Sequence, residues 1–126
     1  MNSAEFRLIR SLLGSSRDEL ADYFHVNSTS VLRWESGKYT IPDNVAQAMR
    51  LKLAMHNTAL DLAINEYTSK TPADQPVTLT LWRSATQYKK NNPTSQQSYG
   101  EYIAFHAQLY KQLTYDGYTV IVNYYE

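Results

Sequence analysis

The chain contains no cysteine, which excludes disulfide staples and thiolate zinc sites. It has no run of about 18 apolar residues, so no membrane span is expected. Met1 leads straight into a polar helical pattern with no signal peptide, and the expectation is a cytoplasmic protein. There is no excess of either charge: 12 basic residues balance 12 acidic ones. The balance holds locally, with eight of each in residues 1–70 and four of each in residues 71–126. A non-specific nucleic-acid coat would need a large positive excess. A site-specific binder needs only one basic face and is not excluded. There is no glycine-rich phosphate loop and no nucleophile elbow. His25, His56 and His106 lack metal-ligand spacing, and Asp18-Glu19 reads as a helix-capping pair. No enzyme activity, metal or cofactor is therefore expected.

What is present is concentrated between Ser16 and Gly37, SRDELADYFHVNSTSVLRWESG. Ser16 with Glu19 forms a capping box that opens a helix over Arg17–Phe24. Leu20, Ala21 and Phe24 give that helix an inward face. His25 and Val26 break the period, Asn27 caps a second helix over Ser28–Ser36, and Gly37 ends it in the left-handed conformation. Val31 and Trp34 point inward, with Leu32 inward or at the rim. Two short helices with a tight break form a helix-turn-helix pattern, whose second helix enters the major groove of DNA.

In chain order, Ala4–Leu13 reads as a first helix with Phe6, Ile9, Leu12 and Leu13 inward and Leu8 as an addition to that stripe, stopped by Gly14. After Lys38-Tyr39-Thr40-Ile41, Pro42 and Asp43 open a long helical pattern reaching about Tyr67. It is one helix, or two broken near His56-Asn57-Thr58. Val45, Met49, Lys52, Leu53, Leu60, Ile64 and Tyr67 share one broad side of it. Ser69–Pro76, SKTPADQP, reads as a linker. Beyond it, Val77–Trp82 alternates as a strand, Ser84 caps a short helix to Lys90, and Ser98 with Glu101 opens a helix to about Leu113. Asp116-Gly117 is a turn, and Tyr118–Tyr124 is a closing strand. The fold class expected is α+β. Residues 1–70 form an all-helical helix-turn-helix domain, and residues 77–126 form a small β-α-α-β unit marginal on its own and suited to pairing with a second copy.

The second helix of the motif carries short polar groups at its start, Ser28 and Thr29, and a long donor one turn later, Arg33. This is the set a groove-reading helix needs, since arginine pairs bidentately with guanine. Ser30, Arg17 at the start of the preceding helix, and Lys38, Tyr39 and Thr40 after it are candidate phosphate contacts. Arg10 and Glu35 lie on helices that must pack together and read as a structural ion pair. The second half carries eight of the eleven tyrosines. Trp82, Tyr102, Tyr110, Tyr118 and Tyr124 are candidates for a homodimer interface. A tyrosine-lined surface for stacking RNA bases is the alternative.

Residues 16–38 resemble the Cro/repressor (XRE) helix-turn-helix family. The matching residues are Glu19-Leu20-Ala21, Val26, Ser28-Thr29-Ser30-Val31 and the ending Trp34-Glu35-Ser36-Gly37-Lys38; His25 stands where the family has glycine. The resemblance implies a lambda-repressor-like domain with base contacts at Ser28, Thr29 and Arg33, a phosphate contact at Arg17, and an interhelical pair between Arg10 and Glu35. A narrower resemblance covers nearly the whole chain, through Glu5-Phe6-Arg7-Leu8-Ile9-Arg10, Arg33-Trp34-Glu35-Ser36-Gly37, Ile41-Pro42-Asp43 and the loop Asn91-Asn92-Pro93. It is to the anti-CRISPR-associated repressors of phages and mobile elements. That resemblance implies a homodimer, paired through its small C-terminal domain, that binds an inverted repeat in double-stranded DNA and represses its own operon. Two other functions fit the same residues: a regulator that binds mRNA as well as DNA, and an antitoxin-like protein whose C-terminal domain holds a protein partner.

Overall fold

Local capping chemistry sets the boundaries of the first helices in the computed structural model, which describes residues 1–126. Helix α1 spans Ser3–Leu13, with the Asn2 side chain accepting the Glu5 N–H and Gly14 ending it at φ 78°. Helix α2 spans Arg17–Phe24 and opens on the expected capping box. Ser16 Oγ accepts the Glu19 N–H at 3.0 Å, and Glu19 Oε1 accepts the Ser16 N–H at 2.9 Å. Helix α3 spans Ser28–Ser36 and ends at Gly37, φ 78°. Asn27 occupies its N-cap position with extended backbone, but contrary to expectation its side chain makes no cap hydrogen bond.

His25 is the one residue other than glycine with positive φ, at 56°. A left-handed residue with a Cβ carries a steric penalty that glycine lacks. His25→Gly is expected to raise stability by about 0.5–1 kcal/mol, read from chemical denaturation midpoints, because relief of the turn exceeds the entropy glycine adds to the unfolded chain.

Helix α4 spans Asp43–Lys70 without a break. It contains neither glycine nor proline, and His56, at the expected break, is buried with its Nε2 2.8 Å from Gln108 Oε1. The linker therefore shortens to residues 71–76. Strand β1 spans Val77–Leu81, helix α5 Ala85–Asn91, helix α6 Tyr99–Tyr115 and strand β2 Val120–Tyr124. The strands are shorter than their sequence patterns, because Trp82, Tyr118 and Thr119 lie outside the ladder. They pair parallel, with Val77 opposite Val120 and Leu81 opposite Tyr124. The class is α+β: six helices with one two-stranded sheet. No helix is long and apolar enough to cross a membrane.

Two apolar clusters hold these elements. The first packs Phe6, Ile9 and Leu13 of α1 against Leu20, Val31, Trp34, Ile41, Val45 and Met49. Phe6 and Phe24 each meet the Trp34 ring edge-on, at 6.0 and 6.2 Å. Leu12, expected inward, is exposed, and so is Leu8. Leu13 is the residue that completes the stripe from Phe6 and Ile9, and it leaves Leu12 about 100° away around the helix. The second cluster packs Val77 and Leu79 of β1 against Leu109 and Leu113 of α6. The far half of α4 walls it with Leu60, Ala63, Ile64 and Tyr67. One helix thus serves both clusters.

A polar seam joins α6 to α1, α2 and α4. Gly14 and Gly100 bring their backbones together, so that a Cβ on Gly14 would lie 2.7 Å from the Gly100 carbonyl oxygen. Glu19 Oε2 accepts the Gly100 N–H at 2.9 Å. Lys52 Nζ donates to both carboxylate oxygens of Glu101 at 3.2 Å, with both side chains largely buried. Lys52 also sits 4.0 Å from the centroid of the Tyr23 ring. Gln108 Nε2 donates to the Leu12 carbonyl at 2.8 Å.

Candidate nucleic-acid interface

The inward residues of α3 decide what it offers outside. Val31 and Trp34 are buried. With 3.6 residues per turn, that turns Ser28, Thr29, Leu32 and Ser36 outward, and all four are exposed. Arg33 is half-buried at the edge of the same face. Ser30 is half-buried on the Trp34 side, so it lies away from Ser28 and Thr29. Leu32 stands in the middle of the outward face, 46% exposed, and is not the inward or rim residue expected. Its spacing of four from Ser28 and three from Thr29 was the signal for this. An exposed aliphatic group there suits a thymine methyl.

Arg33 is not free. Its guanidinium carbon lies 5.0 Å from the centroid of the Tyr39 ring. The Tyr39 N–H donates to the Arg33 carbonyl at 3.2 Å. Gly37 turns the chain back and buried Ile41 anchors it again, which leaves Lys38, Tyr39 and Thr40 as an exposed loop beside α3. Tyr39 therefore serves as a shelf that limits the directions Arg33 can take.

The N-termini of α2 and α3 open on one shallow cleft, lined by Arg10, Ser16, Arg17, Ser28, Thr29 and Leu32 with Asp18 at its edge. Such helix ends present free N–H groups and a positive dipole to an anion. Glu35 organises its basic side. The carboxylate is buried, accepts a hydrogen bond and ion pair from Arg10 Nε, and accepts a second from Arg17 Nε at 2.7 Å. The expected Arg10–Glu35 pair is present and Arg17 makes it a triad. Burial pushes the Glu35 carboxyl up, but the hydrogen bonds and charges of Arg10 and Arg17 outweigh it and hold the group below the ordinary 4.5. Arg17 keeps 45% of its side chain exposed toward the cleft.

The candidate interface residues of the second half differ in exposure. Tyr102 is buried: its hydroxyl accepts the Trp82 N–H at 2.9 Å, and its ring packs on Tyr88 at 4.6 Å. It is packed mainly within its own chain, so little of the expected interface residue is exposed. Tyr99 is half-buried beside it and donates to the Trp82 carbonyl at 2.8 Å. Tyr118 reaches back to the Thr68 carbonyl at 3.3 Å. Trp82 stacks on Tyr125 at 4.0 Å, just past the ends of the two strands. Tyr110 and Tyr124 are exposed. Between the sheet and α6 an apolar notch of about 170 Å³ remains open, lined by Leu79, Leu81, Val122, Ile103, Ala107 and Tyr110. No group of three or more His, Asp or Glu side chains is placed to hold a metal ion.

Among curated proteins, none matches the chain. A family profile described as Aca2/YdiL-like matches residues 1–114, which takes in all of the first cluster, the seam and most of the second half. The match spans the helix pair with its cleft and the α6 segment bolted to it, and the chain belongs to the Aca2/YdiL-like family of anti-CRISPR-associated regulators.

Proposed function

We propose that the protein is a sequence-specific DNA-binding repressor that acts as a homodimer on an inverted-repeat operator and autoregulates a mobile-element operon, its best-fitting target an anti-CRISPR operon. The observation that carries this is the outward face of α3. Ser28, Thr29 and Leu32 stand open on a helix whose other side is locked by Val31 and Trp34, with Arg33 shelved on Tyr39 at its edge. A lambda-repressor-like domain would lay this helix in the major groove, with Ser28, Thr29 and Arg33 on base edges. Arg17, Lys38, Tyr39 and Thr40 would flank it along the phosphates. The half-buried position of Ser30 makes it the weakest of the phosphate contacts.

Two copies would pair through the second half, where the apolar notch lies beside exposed Tyr110, Val122 and Tyr124. A two-stranded sheet has free edges on both sides, and a second copy would cover one of them. Two α3 helices about 34 Å apart would then meet successive major grooves. Repression follows from occupying a promoter in the cytoplasm, with no chemistry and no cofactor.

The test is a titration of the protein against the DNA upstream of its own gene, a scrambled duplex and RNA of the upstream sequence, at physiological salt, with the mass read by light scattering. A dimer selective for the upstream duplex is expected. Arg33→Ala should weaken binding to that duplex by about 10–100-fold and to the scrambled one by much less. Tyr39→Leu should produce a smaller loss in the same direction, because Arg33 remains but is no longer held. Equal weak binding to all three probes would refute the reading.

A further inference from the structure

A dimer joined at one end of its chain and reading DNA at the other depends on whatever connects the two ends. A six-residue linker alone, residues 71–76, would let the recognition helices sample a range of separations. The packing of α4 on both clusters and the seam between α6 and the helix-turn-helix remove that freedom together. We infer that this seam, centred on Gly100 and Glu19, fixes the spacing between operator half-sites that the protein accepts, so that residues far from any base determine part of its specificity. The inference rests on the dimeric DNA-binding reading above.

Three features make the seam a rigid joint. The first is backbone contact: Gly14, at the end of α1, meets Gly100, in the first turn of α6, and neither position has room for a Cβ. The second is Glu19, whose two oxygens serve two helices. Oε1 caps its own helix through the Ser16 N–H, and Oε2 accepts the Gly100 N–H, both at 2.9 Å. Displacing α6 therefore breaks a bond to the same side chain that closes the N-terminus of α2, the helix that packs on α3. The third is direction. The Gln108 amide bonds the Leu12 carbonyl, and the Lys52–Glu101 pair ties α4 to α6. Hydrogen bonds to backbone groups and a buried ion pair are angle-dependent, so the joint resists rotation as well as separation. Each added base pair between half-sites turns one half-site about 34° around the DNA axis. A joint of this kind cannot follow that turn.

The experiment is selection from a duplex library randomised over about four helical turns, which needs no prior operator. Enriched inverted repeats are read for half-site sequence and for spacer length. The full-length protein should converge on one spacer, enriched at least about tenfold over spacers one or two base pairs away, comparable to a mismatched base pair. Gly100→Ala puts a methyl group against the Gly14 carbonyl oxygen and the Glu19 carboxylate, while alanine itself suits a helix. It should select the same half-site with several spacers, at an unchanged dimer mass. Glu19→Gln is the second variant, used also where Gly100→Ala fails to fold. It keeps the side-chain shape but has one acceptor oxygen for two N–H groups, and should broaden the spacers in the same direction. Wild-type repeats with many spacers, or variants as restricted as the wild type, would overturn the inference and leave the DNA-binding reading standing. A pool with no inverted repeat would overturn both.

Discussion

Lys52→Met is expected to lower stability by about 3 kcal/mol, or about 10 °C in Tm for a chain of this size. Lys52 and Glu101 are only 11% and 9% exposed and bond at 3.2 Å through both carboxylate oxygens. With lysine gone, the Glu101 carboxylate keeps the Ser98 N–H at 3.2 Å but loses its only counter-ion. An uncompensated buried charge costs more than the pair contributed. The double variant Lys52→Met/Glu101→Gln separates this cause from lost packing. A neutral amide needs no counter-ion and can still accept the cap hydrogen bond, so the double variant should recover most of the loss. The measurement is a double-mutant cycle by chemical denaturation. Equal stability of the single and double variants would mean that Lys52 acts through its stem and its contact with Tyr23 instead.

The second large effect is expected at Glu35. Glu35→Ala leaves Arg10, 16% exposed, without its partner and releases Arg17. A loss of about 3 kcal/mol is expected, together with weaker DNA binding, because the carboxylate positions the N-terminus of α2 against α3. The pH dependence identifies the charge. In the unfolded chain the carboxyl titrates near 4.5, and in the folded protein it is held below that value. Its contribution to stability is therefore complete above pH 4.5 and is lost as the pH falls from there through the folded value. Glu35→Gln should be less stable than the wild type at pH 7, with the two denaturation midpoints converging as the pH falls below 4.5. A constant difference across that range would show that the ion triad is not what Glu35 contributes.

Much of the first half was legible because its signals are local. Ser16 and Glu19 form their capping box with each other, and Gly37 ends α3 by its own backbone freedom. The stripe through Phe6, Ile9 and Leu13 follows from helical period, although the same reading also turned Leu12 inward. The Arg10–Glu35 pair could be read although 25 positions separate its members, because the packing of α1 on α3 leaves both at one corner. The α-helix–strand order of the second half was equally readable, down to the Ser98–Glu101 box.

The tyrosines were not legible. Composition places eight of them in the second half, but composition carries no direction. Tyr102 went to the interior because α5 folds onto the first turns of α6 and the Trp82 N–H needs an acceptor there. Tyr110, two turns later on α6, lies past that cover and stays exposed. Leu32 is the converse case, an apolar residue kept outside by the fixed inward positions of Val31 and Trp34.

Local sequence was enough for the two helices around the turn, the Ser16–Glu19 capping box, the ending at Gly37, the candidate reading residues and the order of elements beyond them, since each depends on residues within a few positions of one another. Long-range packing was needed to establish that α4 is a single helix serving two cores, that Arg17 joins Glu35, and that α6 is bolted to α1 and α2. Those features depend on which surfaces meet. The N–H of Gly100 finds Glu19 across 81 positions, and Gly14 and Gly100 are small because two backbones approach there, a condition that no local pattern around either glycine records.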